Sequence, residues 1–178
     1  LTGILFDSRR FIYTSRSTFA IVDFLINTGG DYEKALSFLR TKISFSERVA
    51  KLKGVQRALI HLGKNEEIIT IAHIGSYESS VARSLMYLGA SFAIVIAKIS
   101  SDNFRISLRC TKEFAKNYNL HLGELANAIA KSYSGTGGGH ITAAGLNITA
   151  DSSFPNDMEH LKRLFLNMFL EKITPSHD

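Results

Sequence analysis

Apolar residues recur along the chain in two kinds of pattern, and each predicts an element. Short, β-branched stretches almost free of charge read as buried strands: Ile68 to Ile74 and Ser91 to Ile99. Phe104 to Cys110 alternates apolar and polar positions, as a half-buried strand does, and pairs with 91–99 across the polar turn Ser100-Ser101-Asp102-Asn103. Leu146 to Thr149 is a further short strand. Apolar positions three or four apart instead predict amphipathic helices over 44–63, 77–88, 123–131 and 157–172. The first opens on the capping box Ser44-Phe45-Ser46-Glu47, stops at Gly63, and would face inward through Val49, Leu52, Val55, Leu59 and Leu62. The last would use Met158, Leu161, Leu164, Phe165 and Met168.

The order β-α-β-β-α-β-α after residue 65 implies an α/β domain with a mixed sheet, because a hairpin interrupts the βαβ crossover pattern. Nearer the start, Thr2 to Phe6 reads as a strand ending at Asp7. Thr18 to Asn27 is a helix, apolar nearly all round, that stops at Gly29-Gly30, and Asp31 caps a helix over 32–41. These first residues have no sheet of their own, and the chain begins on Leu1. The expected organisation is therefore the C-terminal remnant of a truncated domain over 1–43, a connector helix over 44–63, a complete domain over 64–174 and a polar tail over 175–178.

Composition narrows the class without deciding it. Of 178 residues, 45% are hydrophobic and 21% charged, which is ordinary for a soluble globular protein. No apolar run approaches the roughly 20 residues of a membrane span. A formal charge of +5 favours an anionic partner. The single Cys110 excludes an internal disulfide and a cysteine-based zinc site, which suits a reducing cytoplasm.

The candidate chemistry centres on Gly135-Thr136-Gly137-Gly138-Gly139-His140-Ile141-Thr142-Ala143-Ala144-Gly145. Successive glycines bare the backbone, so consecutive N–H groups could turn into one concavity and hold a phosphate. A short helix opening over 140–144 would reinforce that site, with the His140 imidazole reaching the anion or a reacting oxygen. Ser107 and Arg109 share one face of their strand, and a guanidinium there suits bidentate phosphate binding. Asp7 stands at a strand end, where ligands and metals gather in open α/β sheets. His73 reads as a core or sheet-end residue and His61 and His121 as helix-end residues. His160 and His177 fall on the last helix and the tail. No His-x₃-His pair or carboxylate cluster has metal-ligand spacing.

The glycine string resembles the Gly-Gly-Gly-His-x-x-Ala-Ala-Gly signature of the DHH-associated domain, the substrate-binding domain of the DHH phosphoesterases. Gly137 to His140 and Ala143 to Gly145 match it position for position. Thr-Gly-Ile followed by Asp7 and Phe11 looks like the last metal motif of the catalytic DHH domain. Arg109 matches a Ser-x-Arg element that precedes the glycines. The resemblance implies a parent enzyme that is a manganese-dependent phosphodiesterase of the nanoRNase or RecJ-like kind, acting on short 5′-phosphorylated single-stranded oligonucleotides or nucleotides. In it Arg109 and Gly137, Gly138 and Gly139 would hold a phosphate, His140 would contact that phosphate or the scissile group, and Asp7 would be one Mn2+ ligand. The Asp-His-His ligands are absent here, so this polypeptide is expected to bind without hydrolysing. Two alternatives stay open: a non-catalytic nucleic-acid module akin to the C-terminal domain of alanyl-tRNA synthetase, and a phosphatase or cyclic-dinucleotide phosphodiesterase of the same superfamily. A homodimer is among the expected assemblies.

Overall fold

The computed structural model describes residues 1–39, 42–64, 66–149 and 157–173; the expected tail over 175–178, with His177, lies outside them. The chain forms two compact units, Leu1–Ser44 and Phe45–Asp178. No described helix is long and apolar enough to cross a membrane.

The first unit contains three helices, α1 (Thr2–Asp7), α2 (Arg16–Asn27) and α3 (Tyr32–Phe38). Ser15 and Asp31 cap the second and third, their side-chain oxygens accepting from the amides of Thr18 and Lys34. The strand expected over 2–6 is a helix, with the Leu5 amide bonded to the Leu1 carbonyl at 3.0 Å. An apolar run this short fits either element, and with no sheet in its unit a helix satisfies its backbone locally. Only Val22 of α2 is buried, while Phe19, Ile21, Phe24 and Ile26 stay exposed, so the all-round apolar pattern does not become an all-round buried helix.

The second unit is a six-stranded sheet with helices on both faces. Its elements are α4 (Phe45–Gln56), β1 (Leu59–Leu62), β2 (Ile68–Ile74), α5 (Glu78–Tyr87), β3 (Phe92–Lys98), β4 (Asn103–Cys110), α6 (Lys112–Asn117), α7 (Leu122–Ser132), β5 (Thr136–His140), β6 (Ala143–Thr149) and α8 (Met158–Ile173). The strand order is β1-β2-β3-β4-β6-β5; β2 and β3 run parallel and every other pair antiparallel. The mixed α/β sheet expected from the pattern is present. Three observed elements are unexpected: β1, α6 and β5 come from stretches that read as helix end, loop and glycine turn.

The helix expected over 44–63 ends at Gln56, and β1 follows, antiparallel to β2. Its buried face is Ala50 and Gly54, whereas Leu52 is 72% exposed. Close packing explains the reversal: a Cβ on Gly54 would lie 2.2 Å from Val81 Cγ1, so α4 meets α5 through its smallest residues.

One face of the sheet carries Ile71, Ile94, Ile96, Ile106, Leu108 and Leu146 in a core completed by α6, α7 and α8. The opposite face is covered by α4 and α5 only where β2 and β3 supply Ala72, Ile74, Ala93, Val95 and Ala97. Beyond α5 no described element of this unit covers that face, and Thr136, Gly138, His140, Gly145 and Asn147 are exposed on it.

Candidate phosphate-binding trough

The glycine segment is a β-hairpin. Residues 136–140 form β5, Ile141 and Thr142 make the turn, and Ala143 begins β6. The helix expected over 140–144 is therefore absent. The nest of consecutive amides is absent too, because successive N–H groups of a strand point to opposite sides.

Which amides are committed follows from one bond. Cys110 N–H donates to the Thr142 carbonyl at 3.1 Å, and hydrogen-bonded pairs alternate along an antiparallel ladder. Ala143, Gly145 and Asn147 must then bond outward to His140, Gly138 and Thr136. The amide of Gly138 is thus held within the ladder, while those of Gly137 and Gly139 turn toward the open edge of β5.

The glycines serve two other ends. On the core face the hairpin rests almost backbone to backbone on α7: a Cβ on Gly137 would lie 2.3 Å from the Ala126 carbonyl oxygen, and one on Gly123 would lie 2.3 Å from that of Gly139. Gly139 has φ +149° and leaves no room for a side chain beside Ala143 and Ala144. On the opposite face Gly138 has nothing within 4 Å of where its Cβ would be, and its cross-strand partner Gly145 has only the Ile106 carbonyl oxygen at 3.7 Å. Neither packing nor backbone conformation requires glycine at Gly138. What its absent side chain leaves is space.

Cross-strand register lays that space out in rows on one face. His140 stands across from Ala143 and Arg109; Gly138 from Gly145 and Ser107; Thr136 from Asn147 and Arg105. The result is a trough whose middle row is nearly flat. A depression of about 310 Å³ lies here, walled by Glu78 and Ser79 at the start of α5 and by Arg105 and Arg109 of β4, and floored by Ser107, Gly138 and Gly145.

Arg109 is half-buried, and its Nη2 donates to Ser79 Oγ at 3.5 Å. Its Nε is buried with no hydrogen-bond partner. Burial, and then the nearby charge of Arg83, hold the guanidinium below its ordinary pKa, with Tyr87 acting the other way. A cation partly stripped of water, crowded by a second cation and keeping an unused donor is stabilised by an incoming anion. Arg105 is instead paired, its Nε 2.5 Å from Glu78 Oε1.

His140 is exposed at the end of the Arg109 row, two strands away, so their Cα atoms are about 10 Å apart. It borders the trough without lining the depression. Asp7 is the exposed last residue of α1 in the first unit. Among the described residues no three His, Cys, Asp or Glu side chains gather as a metal site. The described residues therefore do not fit a manganese pair.

The trough unites Arg109 with Gly138 and Gly139, both of which line the depression, while Gly137 faces α7. The reading from pattern missed Ser79, Glu78, Arg105 and Asn147. The alternation Arg105-x-Ser107-x-Arg109 was a usable signal for one of them; the α5 residues arrive through the crossover and left no local sign.

Comparison with known proteins gives likenesses of three kinds, to a family model, to a curated sequence and to solved structures. Residues 75–169 match the DHHA1 domain. An uncharacterized protein of Methanocaldococcus jannaschii is 33% identical over 155 residues, which cover 86% of this chain and 46% of that protein, so the chain spans less than half of that relative's length. An exopolyphosphatase-related protein from Bacteroides fragilis has a similar fold, with a TM-score of 0.57 at 19% identity over 95% of this chain and 47% of that one.

Proposed function

Because the chain belongs to the DHHA1 domain family of the DHH superfamily, typically associated with phosphoesterases, we propose that it is the substrate-binding part of a phosphodiesterase that hydrolyses short 5′-phosphorylated oligonucleotides. The observation that carries this reading is the open Gly138–Gly145 pair beside Arg109, whose buried Nε has no partner. A phosphate fits that position: it offers several acceptor oxygens to a forked donor and to the Ser79 and Ser107 hydroxyls, and the glycines let it approach the backbone.

In this reading Arg109 neutralises and orients the phosphate, Gly138 leaves room for it and Gly139 borders it. His140, on the same row, reaches the far side of the bound group, where an imidazole donates a hydrogen bond or a proton to an oxygen. Asp7 supplies a single carboxylate, so the ligands of the parent's manganese come mainly from outside the described residues. The setting is cytoplasmic, in keeping with a lone buried Cys110 whose thiol is pushed up to about 11 by burial and stays protonated.

The test is equilibrium titration of the protein with a 5′-phosphorylated dinucleotide. Arg109→Gln is expected to weaken binding about tenfold or more, the scale of one lost charge-assisted contact. Arg109→Lys keeps the charge but loses the fork, and should fall between the two. Equal affinity for wild type and Arg109→Gln would falsify the phosphate site.

A further inference from the structure

Past Arg105 the same face continues by one more row, in which Thr149 lies beyond Asn147 on β6 and Asn103 beyond Arg105 on β4, with Ser134 of the turn before β5 near them. A second depression, of about 400 Å³, opens there and meets the first at Arg105, which lines both. The two hollows therefore adjoin along one sheet face. From Asn103 to Arg109 they run about 20 Å along β4, and the two arginines stand about 14 Å apart.

We propose that this second depression is a nucleoside subsite, which takes the base and sugar one unit along the chain from the phosphate held at Arg109. The inference rests on the phosphate reading given above and extends it to the neighbouring unit.

The chemistry of the lining favours a nucleoside over a second free phosphate. Asn103 is locked as a wall, its Oδ1 accepting from Thr149 Oγ1 at 3.1 Å and its Nδ2 donating to Ser100 Oγ at 2.9 Å. Asn147 is exposed on the same face, and its amide carries both a donor and an acceptor, the pairing that matches the edge of a base. Thr136 adds a hydroxyl. Among the described residues the only cation lining this depression is Arg105, already held by Glu78 through Nε and 47% exposed, so its outer nitrogens meet the linking phosphate where the two depressions adjoin. The volume suits one nucleoside. Among the described residues no tyrosine or histidine lines it and Phe104 is buried, so recognition runs through base edges and the sugar instead of through stacking.

The probes are a 5′-phosphorylated mononucleotide and the matching 5′-phosphorylated dinucleotide, titrated into wild type, Asn147→Ala and Arg109→Gln. Wild type is expected to bind the dinucleotide about tenfold more tightly, Asn147→Ala to close that gap to about twofold with the mononucleotide unchanged, and Arg109→Gln to weaken both. Equal binding of the two ligands by wild type, or a gap that survives Asn147→Ala, overturns the nucleoside subsite and leaves the phosphate site standing. Indifference of both ligands to Arg109→Gln overturns the phosphate site beneath it. Because Asn147 is exposed, its truncation leaves the core untouched, and an unchanged melting temperature verifies that the variant is folded.

Discussion

Two glycines of one strand carry opposite requirements, and this is where single residues decide the most. Gly137 is needed by the fold, since a methyl group there meets the Ala126 carbonyl oxygen at 2.3 Å. Gly137→Ala is expected to cost about 1–3 kcal/mol through forced displacement of the hairpin from α7, read as a lowered melting temperature. Gly138 faces open space. Gly138→Leu should melt within a degree or two of wild type and yet lose ligand affinity, because its side chain fills the trough; a variant that binds normally would remove Gly138 from the site. Away from the trough, Tyr118 makes a short hydrogen bond from its hydroxyl to Glu67 Oε2; that bond, then burial and the carboxylate's charge, push the phenol up to about 12. A phenol raised on folding favours its neutral form, so its contribution is complete below the ordinary tyrosine value of about 10 and lost as pH rises through about 12. Stability of the wild type should therefore fall across that window, and that of Tyr118→Phe should fall less. At neutral pH the same variant leaves a second oxygen of the buried Glu67 unpaired, at an expected cost of about 1–3 kcal/mol in denaturant titration.

Among the elements, those with strong and sufficiently long patterns were legible before any coordinates: β2, β3, β4, α5, α7 and α8 all lie where periodicity put them. Those that were misread share one cause, dependence on a distant partner. β1 continues an apparent helical period, but Leu59 to Leu62 pair with Ile68 to Ile71, and the ladder to β2 wins over the local pattern. β5 contains three glycines and has little propensity for a strand, and is one because β6 supplies its hydrogen bonds and α7 a backbone surface to lie on. Conversely Thr2 to Phe6 has no strand beside it among the described residues and forms a helix. The site followed the same division. Arg109 and the glycines were visible as residues, and the resemblance to a known signature tied them together. Their geometry, a strand's flat face in place of a nest, was not visible, because nothing local separates a glycine-rich loop from a glycine-rich strand.

For the molecule as a whole, both core clusters belong to the second unit, one on each face of its sheet. A chain starting at Ser44 should accordingly melt in one cooperative transition and bind the phosphorylated dinucleotide as the intact chain does, checked by circular dichroism and titration. Loss of cooperative melting would mean that the first unit is required to hold the sheet together. The formal charge of +5 adds long-range attraction for anions, but it is the partly dehydrated Arg109, with the charge of Arg83 nearby, that gives the attraction a place.

The amino-acid order alone determined the class of fold and supplied the residues of the proposed phosphate site, since hydrophobic period and side-chain chemistry are local properties written one residue at a time. Folding chose which glycine faces α7 and which faces open space, and it brought Ser79 and Glu78 to β4 and set two hollows side by side on one sheet face. Those outcomes depend on strand register and on contacts between segments far apart in the chain, and neither is encoded in any short stretch of it.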